Sequence, residues 1–201
     1  MVKLLLSRTF VWFLIALDIA MSITALTVDL HDFIETPWYL WLWVPVCSIY
    51  PLLLALNYGY FLRRGRFPSF LLAFTVFGVI GYGVIAPVFY ALYMRENGFA
   101  WYEFGNIFWV WLYAIQGVLL WPAVREIFMT KKLHVLQLFG IFGYFLLKDL
   151  LDRYSVTWSY VRFGVLSVNL MDAMVLVLLG VHLVLLAMFL RTMLHVRKNV
   201  A

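Results

Sequence analysis

Six long apolar stretches constrain this chain more than any motif it carries. They run over Thr9–Thr27, Pro37–Leu62, Pro68–Met94, Phe104–Ala123, Leu133–Lys148 and Phe163–Leu190. Each is near or above the ~20 residues a helix needs to cross ~30 Å of hydrocarbon. A chain in lipid must satisfy its backbone polar groups within the segment, so runs of this kind read as helices. The 201 residues are 66% apolar and 12% charged, whereas soluble domains hold ~45–50% and ~25%. Little chain remains for a separate soluble unit. The expectation is all-α: a polytopic transmembrane helical bundle of six spans, with residues 1–201 forming a single integral-membrane domain. The first stretch contains Asp18 and shows no small-x-small cleavage site at its end, so it reads as a retained helix rather than a signal peptide. The single cysteine, Cys47, excludes an internal disulfide and a cysteine-based metal site.

The net charge of +5 is a topology signal before it is anything else. Eleven of the fifteen lysines and arginines fall at the N-terminus, in the second and fourth connections and in the tail. Arg95, Lys148, Arg153 and Arg162 lie on the other side, with Asp29, Asp32, Glu35, Glu96, Glu103, Asp149 and Asp152. Basic loops stay inside, so both termini are expected in the cytoplasm and the protein in the plasma membrane. The partners implied are the lipid bilayer, other membrane proteins or further copies of the chain, and no nucleic acid. The basic residues suit a grip on anionic lipid.

Aromatic residues mark the opposite face. Trp38, Tyr39, Trp41 and Trp43 open the second stretch, Trp101 and Tyr102 precede the fourth, and Trp158 and Tyr160 precede the sixth. Amphipathic rings settle at headgroup level, and an aromatic-lined vestibule is the other reading. The acidic connection Asp29–Thr36 ends in Thr36-Pro37, a helix-start signal. Pro45 and Pro51 then predict a kinked second helix. Gly78, Gly81 and Gly83 with Pro87 predict an interruption in the third, read as close helix packing rather than a gating hinge.

Two acids stand where hydrocarbon tolerates them least. Asp18 and Asp172 each lie about nine residues into a stretch, approaching the midplane from opposite sides. An ionisable group at that depth is costly and points to function. Ser22 and Asn169 supply polar companions on the same helical faces. If the first and last helices packed together, the two carboxylates would meet and share a proton. The bland alternative is a neutral acid bonded to a neighbouring helix.

The fifth stretch adds a polar stripe of His134, Gln137, Tyr144, Lys148 and Asp152. Lys148, Asp149, Asp152 and Arg153 form i,i+4 charge pairs at its outer end, the mouth of a polar pathway or a solvated terminus. Lys148 alone could snorkel to the headgroups. Gln116, midway along the fourth stretch, and Asn57 read as interhelical hydrogen-bond donors, with Gln116 a pathway candidate. No cofactor is expected; a haem strung between His134 and His182 is the remote alternative. No nucleophile motif, phosphate loop or zinc spacing appears, so the chain leans away from an enzyme.

Several of these segments together resemble an uncharacterised prokaryotic membrane-protein family, catalogued as domain of unknown function 1405. They are Asp18 and the run after it, Glu35-Thr36-Pro37-Trp38-Tyr39-Leu40 leading to Val44-Pro45, Tyr113-Ala114-Ile115-Gln116-Gly117, and Lys148-Asp149-Leu150-Leu151-Asp152-Arg153-Tyr154. The resemblance implies the architecture and brings no activity. The expected function is a polar intramembrane pathway for a proton or small solute, or else a non-catalytic accessory or assembly subunit of a larger, respiratory-type membrane complex.

Overall fold

A computed structural model describes residues 7–35, 37–43, 48–130, 132–153 and 168–198. Among these residues the chain is helical, with no strand. The helices are α1 (Arg8–Glu35), α2 (Ile49–Arg64), α3 (Ser69–Asn97), α4 (Trp101–Leu119), α5 (Trp121–Met129), α6 (Val135–Arg153) and α7 (Val168–Lys198). A 3-10 turn, Trp38–Trp43, lies between α1 and α2. Four stretches are long and apolar enough to cross a membrane: Arg8–Thr27, Ser69–Asn97, Phe104–Met129 and Val175–Val196. The chain therefore has the make-up of a membrane protein. The other two expected spans fall on α2, only 16 residues long, and on α6, whose outer half is charged.

Several local expectations change. The acidic stretch after Thr27 is no loop, because α1 continues through Glu35. Pro37 precedes the 3-10 turn Trp38–Trp43 rather than an α-helix, Thr36 lies outside the described residues, and Trp41 Nε1 donates to the Phe33 carbonyl oxygen at 3.0 Å, folding the turn back on α1. Pro51 sits in the first turn of α2, where its missing N–H costs no helical bond, so it does not kink the helix. Pro45 lies outside the described residues. Pro122 explains why the fourth stretch divides: α4 stops at Leu119 and α5 restarts at Trp121 in front of it.

α3 is the spine. It packs against α2, α4, α5, α6 and α7, and 61% of its span is buried, against 28% for α1. Gly65, at φ 66°, closes α2 with its N–H on the Phe61 carbonyl, and Pro68 leads straight into α3. A left-handed residue is needed at that cap, and glycine adopts it without a Cβ clash. The glycines of α3 then act as notches, as expected. A Cβ on Gly83 would collide with Ala114 of α4, and one on Gly78 would come within 2.6 Å of the Tyr50 ring and 2.8 Å of Phe145. Gly117 of α4 returns the arrangement by receiving Val79. Asn57 Nδ2 donates to Thr75 Oγ1 at 2.9 Å, a polar staple between α2 and α3.

Candidate functional site

Asp18 is completely buried. It lies ten residues past Arg8, the start of the membrane-length stretch, so at 1.5 Å per residue it is ~15 Å deep, close to the midplane. Gln116 of α4 is its partner, donating from Nε2 to Asp18 Oδ1 at 2.8 Å. The other oxygen, Asp18 Oδ2, and the Gln116 Oε1 are both buried without a hydrogen-bond partner. Two acceptors left open in one place is unusual for a packed interior, where buried polar atoms are nearly always satisfied. A donor from a proton, a water or a ligand would fit between them.

A cavity of about 350 Å³ lies beside this pair, lined by neighbours of Asp18 and Gln116 but by neither residue itself. α1 contributes Leu17, Met21 and Thr24, α2 contributes Pro51, and α4 contributes Trp101, Asn106 and Tyr113. Leu17 and Met21 flank Asp18 along α1, and Tyr113 is one turn before Gln116 along α4. From Trp101 to Tyr113 is about 18 Å of helix at 1.5 Å per residue. The cavity thus runs from the tryptophan-marked end of the bundle down to the layer above the acid. Its walls are mostly apolar, as ligand pockets usually are.

The second buried polar pair had no counterpart in the sequence reading. His182 Nδ1 lies 2.7 Å from Asp149 Oδ2, joining α7 to α6. Both side chains are nearly sealed, at 3% and 1% exposure. The His182 ring stacks on Phe77 at 5.6 Å and tilts against Phe145 at 5.3 Å. Gly81 makes room for it: a Cβ there would stand 3.0 Å from His182 Nε2. The glycine stripe on α3 held the usable clue, because a notch opposite a lone apolar-helix histidine marks where that ring can go.

The other expected residues divide. Asp18 and Asp172 do not pair: Asp18 is bonded to Gln116 alone, and α1 and α7 do not form a packed pair. Asp172 is half-buried and lies three residues before the apolar stretch Val175–Val196. Ser22 is no companion of Asp18, since its hydroxyl donates to the Ser48 carbonyl at 2.6 Å. Lys148 is buried, at 5% exposure, rather than snorkelling. Asp149 faces inward to His182 rather than forming an outer mouth. The side chains of Asn169, Asp152 and Arg153 lie outside the described residues. His134 is exposed at the start of α6 and takes no part in the buried His182 site. Among the described residues no group of three or more His, Cys, Asp or Glu is arranged around a metal position.

No protein-family profile, curated protein or solved structure matches this chain. The functional reading therefore rests on geometry.

Proposed function

We propose that this is a transporter-like membrane protein that handles a proton or small solute at Asp18, with both termini in the cytoplasm of a cell whose plasma membrane it spans six times. One observation carries the reading: a fully buried mid-span carboxylate, with one oxygen unmet, stands just below a cavity that opens between α1, α2 and α4. Gln116 holds the carboxyl in a fixed orientation, and the unmet oxygen is where a proton or a donor group on a solute would sit. Asp172 takes no part at the centre; it belongs to the outer end of α7. The resemblance to the uncharacterised family supports the bundle architecture and adds no substrate.

Reconstitution tests it. Liposomes carrying the protein and an internal pH-sensitive dye should dissipate an imposed pH gradient faster than empty ones. Asp18→Asn should abolish the difference, and Asp18→Glu should retain part of it. A parent protein no faster than empty liposomes would remove the proton version of the proposal.

A second reading, a non-catalytic subunit of a larger membrane complex, is favoured by one feature. Packed rings occupy the space between the two polar pairs: Tyr113 lies against Tyr50 at 6.3 Å, and Tyr50 and Phe145 meet over Gly78. Dry contacts of that kind suit a scaffold. Extraction in a mild detergent separates the readings, because a sharp species of monomer or dimer mass argues against a stable larger assembly.

A further inference from the structure

The basic end of the bundle holds a second concavity, of about 300 Å³, that the pathway does not use. Trp121 and Arg125 supply one wall from α5, and Arg191, Thr192, His195 and Val196 supply the other from α7. Each wall is built at helical spacing, Trp121 with Arg125 and Arg191 with His195, so the residues stack one turn apart on facing surfaces. Aromatic packing backs them. Phe189 of α7 packs edge-on against Trp121 at 4.9 Å and against Phe128 at 5.9 Å.

Charge is unbalanced here. Neither Arg125 nor Arg191 has an acidic partner among the described residues, although Glu126 follows Arg125 directly. Two guanidiniums facing one hollow repel each other and leave their planar donor forks unfilled. A phosphate diester matches such forks with paired N–H···O bonds. Depth selects the source of that phosphate. Arg125 lies four residues before the end of the stretch Phe104–Met129, and Arg191 five before the end of Val175–Val196. Both are thus within ~6–8 Å of the membrane boundary, at headgroup level. Trp121 and Val196 give the same hollow an apolar side, which a lipid's glycerol and upper chain can cover and a free ion cannot.

We propose that this hollow binds the headgroup of an anionic phospholipid. Helix-end stabilisation does not account for the pair, since Arg125 lies outside the last turn of α5 and Arg191 is seven residues before the end of α7. Basic pockets between membrane helices are an established way to hold such lipids.

The test uses the full chain in nanodiscs of phosphatidylcholine, with phosphatidylglycerol or cardiolipin titrated in. Retained lipid is read by native mass spectrometry, and affinity by the shift in thermal unfolding. Arg125→Gln with Arg191→Gln should weaken the anionic-lipid effect about 30-fold, roughly fivefold for each charge removed. The pair Arg63→Gln and Arg64→Gln, exposed at the same end but outside the hollow, should leave it nearly unchanged. Unfolding in pure phosphatidylcholine shows whether the double variant still folds, and each single variant gives its own readout if it does not. Equal losses from both pairs would mean diffuse attraction and overturn the proposal. So would inorganic phosphate competing at the same concentration as the lipid, or no preference for anionic lipid in the parent.

Discussion

The two buried polar pairs use similar chemistry in opposite settings. Asp149 and His182 are closed in by Phe77, Phe145 and the Gly81 notch, and a proton on the histidine would complete an ion pair. Asp18 and Gln116 lie beneath a cavity and keep two acceptor atoms open. The first arrangement resembles a structural rivet between α6 and α7, although Asp149 Oδ1 is likewise buried without a hydrogen-bond partner. What sets the second apart is the cavity beside it, because open acceptors next to space are where a ligand or proton can be received. The difference lies in what surrounds each acid rather than in the acids themselves.

The largest expected effect tests the rivet. His182→Leu leaves Asp149 buried alone and should cost ~3–5 kcal/mol, while the double change Asp149→Leu with His182→Leu should recover most of it. Unfolding in detergent micelles measures both, and a single variant as stable as the parent would break the contrast. Next comes Gly81→Ala, which presses a methyl against His182 Nε2 and should cost ~1–3 kcal/mol through overpacking; a proton resonance of the His182 ring should shift with it. Gln116→Leu should cost less, ~1.5 kcal/mol, near the top of the range for one hydrogen bond between membrane helices. Its mark is functional: gradient dissipation should fall while folding survives. Thr75→Val removes the staple to Asn57 and the hydroxyl's bond to the Leu71 carbonyl within α3, and should cost ~0.6 kcal/mol, which bounds the worth of an ordinary interhelical bond.

Hydropathy made the bundle legible, and so did the small residues of α3. Apolar length is a property of contiguous chain, and it survives whatever the helices pack against. Asp18 and Gln116 were each visible as polar groups in apolar runs. Their meeting was not, because 98 residues separate them and nothing in either helix names its neighbour. Asp172 shows a related limit: counting from the start of a run assumes that the membrane begins there, whereas the apolar stretch of α7 begins at Val175. His182 was missed as a partner of Asp149 because charge patterning within α6 offered nearer partners along the same helix. The aromatic cage that selects the distant one is assembled only when α3 lies between.

That position of α3 has a consequence for how the protein is made. Residues leave the ribosome in order, so α3 is inserted well before α7 exists. Until the last helix arrives, the furrow at Gly81 and the carboxyl of Asp149 have no histidine to receive. A chain interrupted before residue 168 would carry Asp149 without the histidine that pairs with it, an acid whose burial nothing offsets.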